Sequence, residues 1–143
     1  MEELQEGIVQ YKVEKIEGVG AKFAAKLAQA GITNTKHLLD RAASRKGRAE
    51  LAKATGVDEK LILKWANMSD LMRIKGVGEE FSELLEIAGV DTIKELAKRR
   101  PDNLRTAMIE ANEKRKLVRQ LPSIGQCESW VKQAKEMPAV MTY

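Results

Sequence analysis

The chain has 143 residues, with 25 Lys and Arg, 21 Asp and Glu, one His, one Cys and a formal net charge of +4. That length suits one domain or two small ones packed as a unit, and a hydrophobic share of 43 % excludes global disorder. Aromatics at 4 % argue against a β-sandwich, one Cys excludes an internal disulfide or a Cys-based zinc site, and no apolar run reads as a membrane span or signal peptide. The composition is that of a soluble, cytoplasmic protein with a helical core of Leu, Ala and Ile.

In chain order, the first 15 residues form an extended N-terminal segment, with a weak strand signal over 8–13. From Ala21 to Ala30, Phe23, Ala24, Leu27 and Ala28 form one apolar face at helical period. Gly31 then ends the helix. Thr33 or Asn34 caps the next one, which carries Leu38 and Leu39. A short helix from Arg48 to Ala54 closes on Gly56, and Asp58 caps a helix over Glu59–Asn67 with Leu61, Ile62 and Trp65 inward. The pattern then starts again: a helix over Glu79–Ile87, Gly89, and a helix over Thr92–Arg99. Pro101 opens the next helix, where its missing N–H does no harm. Asn103–Glu113 and Glu128–Lys135 are the last two.

The repetition is explicit at a period of 58 residues. Ile16-Glu17-Gly18-Val19-Gly20 returns as Ile74-Lys75-Gly76-Val77-Gly78, and Phe23, Leu27, Ala30-Gly31, Lys36, Leu38 and Arg41 recur as Phe81, Leu85, Ala88-Gly89, Lys94, Leu96 and Arg99. Eleven of the 26 positions from Ile16 to Arg41 are identical at this offset, glycines and apolar positions included, which chance does not explain. The expected organisation is therefore an extended segment (1–15), a first unit (16–73), a second unit (74–136) and an apolar tail (137–143). The two units should pack as one compact body, because each alone is marginal.

The recurring Gly-x-Gly opens a helix both times. Its glycines permit a tight turn and leave bare backbone N–H groups at a helix N-terminus, where an anion can bind. Gly20 and Gly78 are each expected to hold a backbone conformation costly for a side chain. The turns differ in charge. Gly20-Ala21-Lys22-Phe23-Ala24-Ala25-Lys26 is small and basic, whereas Glu79, Glu80 and Glu83 follow Gly78. Carboxylates there repel phosphate. Two basic stretches, Lys36–Lys64 and Lys94–Arg119, flank the acidic one.

The pattern Ile-x-Gly-Val-Gly-x2-Phe-x3-Leu-x2-Ala-Gly resembles the helix-hairpin-helix (HhH) motif. From Ile16 onward the chain is similar to an uncharacterised bacterial family of tandem HhH proteins, a domain of unknown function. It also resembles the HhH domains of RecA-like recombinases and of the RNA polymerase α subunit. The resemblance implies an all-α fold of two tandem HhH units, with a further hairpin counterpart at Thr55-Gly56-Val57-Asp58 and a degenerate third hairpin at Leu121–Gly125. It implies sequence-independent binding to the DNA phosphate backbone, carried by Gly18, Gly20, Lys22 and Lys26. Gly76 and Gly78 are then structural hairpin residues. The alternative is a protein-interaction adaptor that keeps the fold without nucleic acid, using the acidic second hairpin or the C-terminal tail.

The other conspicuous residues point to structure. His37 has no second His or paired Cys, Cys127 has no recognisable base beside it, and Trp65 and Trp130 lie on apolar faces. Glu79, Glu80, Glu83 and Glu86 complement a helix N-terminus. With no nucleotide-binding loop and no hydrolase signature, an enzyme is not expected, nor a metal or cofactor. The tail from Met137 to Tyr143 is apolar and uncharged, so it is expected to dock, on its own body near Tyr11 and Val13 or on a partner.

Overall fold

The computed structural model describes residues 2–3 and 9–143. The fold is all-α. Among the described residues the α-helices are α1 (Ala21–Gln29), α2 (Thr35–Ala42), α3 (Arg45–Thr55), α4 (Glu59–Leu71), α5 (Glu79–Ile87), α6 (Ile93–Ala97), α7 (Pro101–Arg115) and α8 (Ile124–Glu136). Two short strands, β1 (Glu2–Glu3) and β2 (Val9–Gln10), pair antiparallel, and a 3-10 turn covers Val13–Lys15. Part of the expected extended segment, Met1 and residues 4–8, lies outside the described residues.

Packing repeats as the sequence does. α2 lies on α4 as α6 lies on α8, α3 lies on α4 as α7 lies on α8, and α1 touches α3 as α5 touches α7. Each first helix ends the same way. Gly31 (φ +83) and Gly89 (φ +95) sit in the left-handed region just past the cap. Ile32 N donates to Leu27 O (2.9 Å), and Val90 N to Leu85 O (2.8 Å). Gly31 N donates to Ala28 O, and Gly89 N to Glu86 O. These are the paired bonds of a Schellman stop. Arg41 and Arg99 then donate to the carbonyls of Ala30 and Gly89. Of the N-cap alternatives Asn34 takes the role, accepting from His37 N, and Thr92 does the same one repeat later from Glu95 N.

Two apolar clusters form the core. One gathers Val13, Ile16, Leu27, Leu38, Ile62 and Trp65, the other Leu71, Ile74, Leu84, Leu96, Leu104 and Trp130. α4 carries residues of both, since Met68 faces the first and Leu71 the second. The junction is also polar. Asp70 on α4, 2 % exposed, accepts from Arg73 Nη1 at 2.8 Å and from Ile93 N, in the first turn of α6, at 3.1 Å. The lone pairs of this buried carboxylate are thus used by both halves of the chain. Tyr11 adds a second tie: its hydroxyl donates to Val77 O at 3.3 Å, while its backbone pairs with Thr35.

The apolar tail packs on its own body, held at the end of α2 and on α3 and α4. Thr142 N donates to Ala43 O at 2.8 Å, Arg48 Nη2 donates to Thr142 O at 2.8 Å, and Tyr143 Oη bonds Asn67 Oδ1 at 2.8 Å. Arg73 Nη2 holds Pro138 O, and Met141 joins the first apolar cluster. Tyr143 keeps an exposed ring face with its hydroxyl turned inward. Burial, Asp91 and Asp70 push that hydroxyl up to about 12.

Candidate nucleic-acid interface

The first Gly-x-Gly turn is built from its buried ends. Ile16 and Val19 sit in the core, and Val19 N donates to Ile16 O at 3.0 Å. That leaves Glu17 and Gly18 at the exposed tip. Gly18 takes φ +90, a region that disfavours any Cβ. A Cβ there would stand 3.5 Å from the indole nitrogen of Trp65, so the buried tryptophan is the platform under the turn. Phe23 meets Trp65 edge-on, ring centroids 5.1 Å apart.

Gly20 caps α1 with extended backbone (φ −83, ψ −176) and no side-chain cap, and the first turn of the helix carries no carboxylate. Ala21 and Lys22 are exposed. The N–H groups of that turn have no intrahelical acceptor and face the positive end of the helix dipole outward. Lys22 therefore stands beside a ready anion position. Lys26 is half-buried, its ammonium 5.9 Å from the centroid of the Phe23 ring, and so partly committed to that ring.

The second turn copies the first in backbone and differs in surroundings. Val77 N donates to Ile74 O at 3.1 Å, Gly76 takes φ +97, and a Cβ on Gly76 would come 3.0 Å from the Trp130 indole nitrogen. Phe81 and Trp130 stand 5.1 Å apart, as Phe23 and Trp65 do. This turn is clamped on both sides. Gln133 Oε1 accepts from Lys75 N at 2.9 Å and its Nε2 donates to Lys75 O, while Tyr11 covers Gly78. Glu79 and Glu80 occupy the first turn of α5.

One expectation is overturned. Gly20 and Gly78 do not hold a backbone conformation that penalises a side chain, because both have negative φ and extended ψ. The left-handed positions are the first glycines of each turn, Gly18 and Gly76. The reason is geometric: the chain reverses at the tip, and by the second glycine it is already aligned for helix capping.

Of the other singled-out residues, Trp65 and Trp130 are core, and Cys127 is buried, with burial pushing its thiol up against the opposing effect of Arg105. His37 is exposed, its Nδ1 within 3.3 Å of the Thr33 hydroxyl. The α5 carboxylates divide: Glu79 and Glu80 are exposed, whereas Glu83 and Glu86 are half-buried. Burial raises both: at Glu83 the carboxylate of Glu17 adds to the rise while Arg115 and then Lys64 oppose it, and at Glu86 Lys64 opposes it and Asp91 adds to it. Glu86 Oε2 is buried with no hydrogen-bond partner. Among the described residues no cluster of His, Cys, Asp or Glu has the makings of a metal site, and no helix is long and apolar enough to cross a membrane.

Several structural residues gave no readable signal in the sequence. Arg48 counts toward a basic stretch, yet it is 4 % exposed and donates to Ala42 O, Ala43 O and Thr142 O. Gln133, Asp70 and Lys116 each act through a partner far along the chain or through backbone conformation. Leu121–Ser123 leads straight into α8, with Ser123 and Gln126 forming a reciprocal capping box.

These features define a helical protein of two sequence-related halves, each with a Gly-x-Gly turn braced on a buried tryptophan. The chain belongs to the family described as Domain of unknown function (DUF4332), matched over residues 17–137. Comparison with curated proteins and with solved structures gave no match.

Proposed function

We propose that the chain is a non-catalytic, cytoplasmic tandem HhH module that binds the phosphate backbone of DNA without sequence preference, through the first hairpin. The observation that carries this reading is the uncapped, carboxylate-free N-terminus of α1 with exposed Gly18, Gly20 and Lys22 around it. The second hairpin, clamped by Tyr11 and Gln133 and headed by Glu79 and Glu80, is the structural copy. Lys26 contributes long-range charge more than a direct contact.

The test uses Gly20→Asp. An Asp at this extended position caps α1, so the fold gains about 0.3 kcal/mol over the glycine cap. The same carboxylate occupies the anion position, so duplex affinity falls at least about tenfold and the salt dependence flattens. A Lys22→Glu, Lys26→Glu variant should lose binding with its fold intact. Undiminished duplex binding in both variants overturns the assignment. The adaptor reading rests on the acidic second hairpin, since the tail's backbone and hydroxyl are engaged with Ala43, Arg48 and Asn67. Capture of a basic partner that Glu79→Lys, Glu80→Lys abolishes would favour it.

A further inference from the structure

The two halves differ most between their last two helices. In the first half α3 closes on Gly56 and α4 begins after Asp58, a connection of three residues. In the second, α7 closes on Lys116 and α8 begins after Ser123, a connection of eight. The longer connection is pinned. Asn112 accepts from Val118 N at 3.0 Å and donates to Val118 O at 3.1 Å, and Arg105 Nε donates to Pro122 O at 2.9 Å. Between it and the first turn of α5 lies a groove of about 520 Å³. The short connection of the first half has no residues to build such a wall.

The groove's lining is chemically mixed in a specific way. Phe81 forms part of it, braced by Trp130. Lys116 and Arg119 supply two exposed cations, Gln120 and Gln126 supply amides, and Glu80 supplies an acceptor on the α5 side. Gln126 Oε1 is taken by Ser123 N, which leaves its amide N–H groups as donors. Lys116 carries an independent sign of use. Among the described residues it is the one non-glycine residue at positive φ (+51), and it stands where the first half has Gly56 at φ +74. A lysine there costs free energy that a glycine avoids, and such strain persists where the side chain is used.

We infer that this groove binds one nucleotide unit, its base against Phe81, its phosphate between Lys116 and Arg119, and its polar edge or sugar hydroxyls on Gln120, Gln126 and Glu80. Aromatic rings accept any base face, and a groove of this size holds a ligand of that size. Glu80 opposes additional phosphates, so the site selects a monophosphate or an internal diester over a triphosphate. The site lies on the second half and is separate from the first hairpin. The shared chemistry has two sources, a free nucleoside monophosphate and a nucleotide within a single strand.

Calorimetric titration of the full chain with adenosine monophosphate, a thymidine decamer and inorganic phosphate separates the cases. Lys116→Gly removes the ammonium and relieves the backbone, so the unfolding midpoint holds or rises while nucleotide affinity falls about tenfold. Phe81→Leu keeps apolar volume and loses the ring, weakening the nucleotide and not inorganic phosphate. The titrations are repeated on a Lys22→Glu background, where the first hairpin's contribution is removed; binding at the groove persists there, which keeps its outcome distinct from that of the first hairpin. Saturation by the monophosphate identifies a free nucleotide as the source, and saturation by the decamer alone identifies a strand. No binding by either, equal affinity for inorganic phosphate, or affinity indifferent to Lys116→Gly overturns the inference.

Discussion

Alanine placed at each of the four turn glycines in separate variants should produce a graded series. Gly18→Ala forces a Cβ into φ +90 but meets only ordinary contact with Trp65, at 3.5 Å. The cost is conformational, about 1–2 kcal/mol. Gly76→Ala carries the same conformational cost at φ +97 and also drives the Cβ to 3.0 Å from the Trp130 indole nitrogen. Trp130 is 1 % exposed and braced by Phe81, so it cannot step aside freely. Overpacking adds about 1–2 kcal/mol, for a total of about 2–4. Gly20→Ala has negative φ and open space, with nothing within 4 Å of the added carbon. Its small cap loss and the lower entropy of its unfolded chain offset each other to within about 0.5 kcal/mol. Gly78→Ala meets Tyr11 at an ordinary 3.5 Å and falls close to Gly20→Ala. Urea denaturation at constant m-value measures the series, and thermal midpoints should move by roughly 4 °C per kcal/mol. Equal losses at Gly18 and Gly20, or a neutral Gly76→Ala, would refute the reasoning.

Three further outcomes follow from the same geometry. Glu86 has a folded-state pKa raised by burial, so the folded form holds its proton more tightly than the unfolded one, and stability falls as pH rises from 4.5 through the raised value. Glu86→Gln should be more stable than the parent at neutral pH and lose that slope, as read from unfolding midpoints across the range. Deleting Ala139–Tyr143 removes the bonds to Ala43, Arg48 and Asn67 and should lower stability by about 1–3 kcal/mol, equally at every protein concentration because the contacts are intramolecular. Tyr11 and Tyr143 are both raised, Tyr143 to about 12, so absorbance at the phenolate band should lag that of the unfolded chain, and stability should drop as pH climbs from about 10 toward 12.

The sequence alone determined the all-helical class, the 58-residue repetition and the charge contrast between the two turns. Those properties are local: apolar spacing at helical period, cap residues such as Asp58, stops such as Gly31 and Gly89, and the bare identity of Lys22 against Glu80. Only the tertiary structure decided which glycine of each turn is strained, because that depends on where the chain reverses over a buried tryptophan. It also decided that Arg48 is sequestered under the tail, that Asp70 joins the halves through Ile93 N, and that Gln133 clamps the second turn. In each case the partners are brought together by packing across 23 to 94 residues of chain. No periodicity records such a meeting, since one side chain and one distant backbone group leave no pattern in a linear string. The groove at Lys116 has the same origin: its residues read as an ordinary basic run until α5 and α8 fold against them.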